Sequence, residues 1–129
     1  MAERSWLILD EGRASALAAL CETIVPGSGR VQPAVYIDAQ LARMDETGRE
    51  MALGAIDALA DVADGGADAL GERAATPEFM TVRALAIEAF YSDFIAPDGE
   101  GPTAWEEIDF RFPLASQIEH DWSYLGIAG

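Results

Sequence analysis

The stretch TPEFMTVRALAIEAFYSDF, Thr76 to Phe94, decides the fold class because it carries the clearest helix signal in the chain. Thr76 is a favourable N-cap, Pro77 suits the first helical position, and Glu78 favours the positive end of the helix dipole. The helix is predicted to continue to about Ile95. Its apolar residues recur at helical spacing: Phe79, Val82, Ala86, Ala89, Phe90 and Phe94.

A helix is also predicted near the start of the chain. Asp10 or Ser15 is suited to cap its beginning, and Pro26 with Gly27 should end it. Its apolar residues follow the i, i+3, i+4, i+7 pattern of a single helical face: Leu17, Leu20, Cys21 and Ile24. Because Cys21 lies in this apolar run, we expect a small buried thiol without chemical reactivity.

Two more helices and one short helical turn fill the middle of the chain. The second helix is predicted over 33–44, with Pro33 in its first turn, and the third over 46–62, with Asp45 as its cap. The third helix should bury Leu53, Ile56, Leu59, Ala60 and Ala63. A helical turn over 67–73 follows a Gly-Gly break. The sequence predicts an all-α protein, a small antiparallel helical bundle over 1–95 within a single domain of 129 residues.

The charge of the chain limits its partners. The formal net charge is -15, with 23 acidic residues against eight basic ones, all of them Arg. Such a surface repels a phosphate backbone and an anionic membrane, so we expect no nucleic-acid partner and no direct membrane insertion. The N-terminal sequence has neither a signal-peptide pattern nor a twin-Arg pair. The expectation is a cytoplasmic protein, unless a partner carries it elsewhere.

The residue types needed for catalysis or metal binding do not form a recognisable set. Gly27-Ser28-Gly29 follows a predicted helix rather than a strand, and the chain has no Lys for a P-loop. We therefore interpret Pro26 to Gly29 as a helix stop and turn. His120 is the only histidine, and one histidine with one cysteine cannot complete a structural zinc site. The sequence predicts no metal site, no cofactor site and no catalytic residue in this chain.

The segment 96–129 differs from the rest because it shows no sustained helical or strand period. It is predicted to be an irregular C-terminal extension that is rich in aromatic residues. Such side chains either complete the core of the chain or lie in an interface, where Trp, Tyr and Phe concentrate. Five of the eleven aromatic residues of the chain lie in this extension: Trp105, Phe110, Phe112, Trp122 and Tyr124.

The order of several motifs resembles the small (gamma) subunit family of gluconate 2-dehydrogenase-type flavoprotein dehydrogenases. The motifs are LCETIVPGSG (20–29), AVYIDAQL (34–41), TPEFMTVRALAIEAFYSDF (76–94), AWEEIDF (104–110) and DWSYLGI (121–127). The resemblance extends over about residues 14 to 127. It implies a non-catalytic helical subunit that stabilises or matures a large FAD-dependent dehydrogenase of the glucose-methanol-choline class, acting on sugars, sugar acids, polyols or glycosides.

The resemblance also implies that FAD and the catalytic base belong to the large subunit. It favours an interface role for the extension, with Trp105, Phe112, Trp122 and Tyr124 as candidate anchors. Some members of the family carry the export signal for both subunits, whereas this chain shows no twin-Arg leader. Two alternatives stay open from the residues alone. One is a free-standing acidic helical binding module, and the other is an independent enzyme that uses His120 with Glu119 or Asp121.

Overall fold

The computed structural model describes residues 4–110, and within them the chain is all-α, with six helices and no strand. Two short 3-10 turns, Ser28–Val31 and Ala60–Val62, connect helices in this part of the chain. The helices are α1 Glu11–Ile24, α2 Pro33–Arg43, α3 Glu46–Leu59, α4 Gly66–Gly71, α5 Pro77–Tyr91 and α6 Ala104–Glu107. The prediction of an all-α protein is therefore confirmed for these residues.

Side-chain caps fix where three of the long helices begin. The side chains of Asp10, Asp45 and Thr76 each accept a hydrogen bond from the backbone N–H three residues further on, at 2.8, 2.7 and 3.2 Å. Each bond satisfies one of the N–H groups that a helix leaves unpaired at its start. Asp10 is thus the cap of α1, and the alternative cap, Ser15, lies inside the helix.

The main hydrophobic core lies between α1, α2, α3 and α5. Its largest fully buried side chains include Leu17, Leu20, Ile37, Leu41, Ile56, Leu59 and Val82. The predicted stripe of α3 is partly wrong, because Ala60 is exposed and Leu53 is only half-buried. The α-helix ends at Leu59 and continues as a 3-10 turn, which changes the rotation per residue. The buried positions of α3 are Ala52, Ala55, Ile56 and Leu59.

Helix α5 ends at Tyr91, four residues before the predicted end. Asp93 adopts the left-handed conformation, with φ of 66°, and an α-helix cannot continue through that backbone geometry. Phe94 therefore lies beyond the helix, where its ring meets Tyr36 of α2 edge-to-face at 5.3 Å between centroids. The aromatic residue still packs against its own chain, although it no longer belongs to the stripe of α5.

Asp38 of α2 holds the N-terminal segment, residues 7–9, against the helices by hydrogen bonds. Its side chain is 5% exposed and accepts three backbone hydrogen bonds. The N–H groups of Leu7, Ile8 and Leu9 lie 2.8, 2.9 and 3.0 Å from its carboxylate oxygens. A buried carboxylate is stable only when hydrogen bonds replace its lost hydration, and these three bonds do so. Residues 7–9 are thereby held at the start of α1 without regular secondary structure.

Cys21 is fully buried in the core, as the sequence predicts. Burial disfavours the charged thiolate and raises the pKa of the Cys21 thiol to about 12. The thiolate is the nucleophilic form of cysteine, so burial disfavours reactivity here and the side chain packs as a small apolar group.

An exposed ion pair joins α1 to α3. Arg13 donates from Nε and from a terminal nitrogen to the two carboxylate oxygens of Asp57, at 2.9 and 2.8 Å. These hydrogen bonds, with a smaller Coulombic contribution from Arg13, hold the pKa of Asp57 below its ordinary value. Water screens the pair, because the side chain of Asp57 is 49% exposed.

We expect the Asp57→Asn variant to lose less than about 1 kcal/mol of stability at neutral pH, as is typical of exposed ion pairs. Because the folded-state pKa of Asp57 is lowered, its stabilising contribution is present above the unfolded pKa, about 3.9. It is lost as the pH falls through the folded-state value. Urea unfolding of both proteins between about pH 6 and pH 3 measures the difference. A difference that grows as the pH falls would contradict the assignment.

Candidate functional site

The predicted anchor Trp105 lies on α6, a short helix inside the segment predicted to be irregular. A capping box starts this helix. The hydroxyl of Thr103 accepts from the N–H of Glu106 at 3.4 Å, and the carboxylate of Glu106 accepts from the N–H of Thr103 at 3.2 Å. The Thr-x-x-Glu spacing is a known sequence signature of a helix start. That signature could have identified the helix, and the prediction for residues 104–107 is corrected.

Trp105 is held by contacts within its own chain. Its indole N–H donates to the carbonyl of Tyr91 at 3.1 Å, and its backbone N–H donates to the carboxylate of Asp93 at 3.2 Å. The ring of Phe110 packs edge-to-face on it, with 5.2 Å between centroids. The indole is half-buried against a second apolar cluster that is formed by Val25, Val31, Phe90 and Ala104. The role of Trp105 as an anchor for a partner stays a prediction.

The other predicted anchors, Phe112, Trp122 and Tyr124, lie outside the described residues. The same holds for the acid/base group considered from the sequence: His120 with Glu119 or Asp121. These assignments stay predictions.

Arg30 lies in the 3-10 turn after α1, and its side chain binds the segment that follows α5. Its guanidinium donates to the carbonyl oxygens of Pro102 and Gly27, each at 2.7 Å, and pairs with the carboxylate of Glu107. It also lies over the ring of Phe90, 5.4 Å from the centroid. One side chain thus fixes α6 against the second apolar cluster. Sequence reasoning missed Arg30 because its partners lie as many as 77 residues away.

The turn Pro26 to Gly29 ends α1 as the sequence predicts. Gly27 has a φ of 88°, a left-handed conformation that favours glycine, and a 3-10 turn follows. The backbone N–H groups of Gly27 and Gly29 donate to the two oxygens of Glu22, at 2.9 and 2.7 Å. The carboxylate of Glu22 occupies the position that an anion would need. This geometry agrees with a structural turn and argues against a phosphate site.

Large apolar side chains are exposed around α6. Tyr91 is 57% exposed, Ile108 is 73% exposed and Phe110 is 47% exposed. Tyr91 and Phe110 both contact Trp105, and Ile108 lies one helical turn after it. We call these four residues the α6 apolar surface. Grouped aromatic and aliphatic side chains at a surface are typical of a protein-binding site.

Carboxylates are frequent in the part of the chain that carries the α6 apolar surface. Residues 91–110 contain six acidic side chains and neither Lys nor Arg: Asp93, Asp98, Glu100, Glu106, Glu107 and Asp109. Two of the six are neutralised by ion pairs from outside this segment, since Arg4 binds Asp98 and Arg30 binds Glu107. The local field is therefore negative, like that of the whole chain.

A cleft of about 230 Å³ lies between the N-terminal segment, α1 and α2. Arg4, Trp6 and Gln32 are among its lining residues, and the guanidinium of Arg4 lies 5.6 Å from the Trp6 ring centroid. The indole N–H of Trp6 donates to Glu11 at 2.9 Å. The cleft is smaller than the roughly 300–1,000 Å³ usual for small-molecule sites.

Within residues 4–110, no three His, Cys, Asp or Glu side chains are grouped in a way that could hold a metal ion. In the same residues, none of the helices has the length and the apolar character needed to cross a membrane.

Comparisons with protein-family models, with curated proteins and with solved structures find no match to this chain.

Proposed function

We propose that this chain is the non-catalytic small subunit of a heteromeric FAD-dependent sugar, glycoside or polyol dehydrogenase. In this proposal it binds a large catalytic subunit of the glucose-methanol-choline class and stabilises or matures it. The large subunit holds FAD and carries out the oxidation, and this chain binds no cofactor. The pair stays in the cytoplasm unless the partner directs its export.

The α6 apolar surface is the observation that carries the proposal. It presents Tyr91, Ile108 and Phe110 to solvent around the fixed indole of Trp105. The chain continues directly from Phe110 towards the predicted anchor Phe112. A surface of this kind suits a protein contact, because aromatic side chains bury much area at low entropic cost. An accessory subunit needs such a contact more than it needs a cavity.

The packing of the motif-bearing stretches also supports the proposal. LCETIVPGSG forms the end of α1 and the following turn, while AVYIDAQL forms most of α2. The stretch from Thr76 to Phe94 contains α5, which packs on α1, α2 and α3. These three stretches thus pack together in one helical unit, proposed to be an antiparallel bundle with an aromatic-rich extension.

Co-expression tests the proposal. A tag on this chain should recover a co-expressed large flavoprotein of the proposed class, with a flavin absorbance spectrum in the eluted fraction. A tagged version of an unrelated acidic helical protein is the control for charge-driven retention. Recovery of this chain without flavoprotein would contradict the proposal.

The free-standing binding module is the second candidate, and the cleft beside Trp6 is the observation that favours it. Its volume of about 230 Å³ is small for a ligand of drug-like or cofactor size. In addition, Arg4 and Glu11, the two charged side chains that line the cleft, already have partners in Asp98 and in the Trp6 indole. This alternative requires the purified chain to be a stable monomer without any obligate partner. Aggregation of the chain expressed alone would speak against it.

A further inference from the structure

We infer that the α6 apolar surface and the carboxylates of the same part of the chain bind a protein surface that has an apolar centre and a rim of Arg or Lys. The inference rests on the proposed function, and it identifies this surface as the contact for the large dehydrogenase subunit. In this inference Tyr91, Trp105, Ile108 and Phe110 make the contact, and the partner presents apolar side chains surrounded by Arg or Lys.

The Trp105 side chain at the centre of the α6 apolar surface is already ordered in the chain alone. Trp105 is fixed by its two N–H donors and by the ring of Phe110, so little side-chain freedom is lost on binding. Arg30 holds helix α6 in place, because its guanidinium donates to the carbonyl of Pro102 and pairs with the carboxylate of Glu107. Ordered aromatic side chains at the centre of a patch are typical of residues that dominate binding energy.

The charge around this surface selects the occupant. Six carboxylates and no basic residue lie within 91–110, and a single Arg follows at position 111. A second copy of this chain would bring the same negative charge, since the net charge is -15. Nucleic acid and anionic lipid are repelled for the same reason. A protein surface rich in Arg or Lys therefore complements the negative charge of this region. Repulsion of negatively charged partners adds specificity.

Two of the six carboxylates already have ion-pair partners within the chain. Arg4 pairs with Asp98 and Arg30 pairs with Glu107, which leaves Glu100 and Glu106 among the exposed acidic side chains nearby. Exposed charges at the edge of an interface act mainly on the rate of association and on its salt dependence. The partner should therefore bind more slowly at high ionic strength.

The Ile108→Arg variant tests the inference. Ile108 is 73% exposed, so the substitution leaves the core intact while it places a charged group against the apolar centre of the proposed partner surface. The matched control is Met51→Arg on α3, which changes a side chain that is 65% exposed at a different surface. The probe is the purified, FAD-loaded large flavoprotein that co-purifies with this chain, and immobilised wild-type or variant chains measure its Kd and its association rate.

We expect Ile108→Arg to raise the Kd by at least about 10-fold, the size of effect that a central contact produces. Met51→Arg should change it by less than about 2-fold, as is usual outside the energetic centre of an interface. Ile108→Ser, which adds no charge, should give an intermediate loss. The association rate of the wild type should fall as NaCl rises from about 50 to about 500 mM.

The outcomes separate this inference from the proposed function. If the wild-type chain binds the flavoprotein and Ile108→Arg binds it equally well, the proposed function stands and the inferred surface is wrong. An association rate that does not change with salt contradicts the basic rim. If the wild-type chain does not bind the flavoprotein at all, the proposed function fails, and this inference fails with it.

Discussion

Asp38→Ala should lower the free energy of unfolding by about 3 kcal/mol, because an unpaired buried donor costs roughly 1–3 kcal/mol. Asp38 is 5% exposed, and its carboxylate accepts from three consecutive backbone N–H groups. Alanine leaves these donors without their acceptor and loosens the segment that leads into α1. Urea unfolding followed by circular dichroism measures the change.

The matched control for this prediction is Asp57→Ala, which also removes an aspartate that bonds to a distant part of the chain. Its partner is the exposed Arg13, and such a pair contributes about 0 to 1 kcal/mol. An equal loss of stability in the two variants would mean that the three hydrogen bonds to Asp38 contribute no more to the free energy of unfolding than the exposed ion pair does. Asp38→Asn keeps one acceptor oxygen, so it should lie between wild type and Asp38→Ala.

Trp122→Ala should weaken binding of the large subunit by about 2 kcal/mol or more, that is, by roughly 30-fold. This prediction comes from the sequence, in which Trp122 lies in the aromatic-rich extension and in the motif DWSYLGI. Truncation of a buried interface Trp removes more contact area than truncation of any other side chain. The affinity for the purified flavoprotein is the quantity to measure.

Trp6→Ala is the control for the loss of a tryptophan. Trp6 is half-buried near the N-terminus, and its indole donates to Glu11 rather than to any residue of the extension. It should leave the affinity unchanged once thermal melting shows that the variant is folded. An unchanged affinity for Trp122→Ala would remove Trp122 from the set of anchors.

The features that the sequence predicts correctly are local ones. The caps Asp10, Asp45 and Thr76 act on an N–H three residues away, and Pro33 and Pro77 occupy first helical turns. Short-range geometry is sufficient to place the beginnings of these helices. The end of α5 was missed because the apolar period continues through Phe94, although the backbone reverses its handedness at Asp93.

Features that join distant parts of the chain could not be predicted. Asp38 binds residues about 30 positions earlier, and Arg30 binds residues more than 70 positions later. A carboxylate in an acidic chain or a single Arg has no periodic signal that indicates such a partner. The α6 apolar surface was missed for the same reason, since Tyr91 and Phe110 meet Trp105 only after folding.

These long-range contacts matter for the proposed role. Arg30 and the second apolar cluster fix α6, while Asp38 fixes the N-terminal segment against α2. A rigid support allows a small chain to present an interface without the cost of ordering it on binding. Binding to this chain would stabilise the partner by mass action, because only the folded partner binds it.

The most direct test of the accessory role is the flavin content of the large subunit, expressed alone and together with this chain. We expect more soluble large subunit and more FAD bound per large subunit when this chain is present, because binding stabilises the folded partner. Equal yield and equal flavin occupancy in the two preparations, with no complex between the chains, would contradict the accessory role.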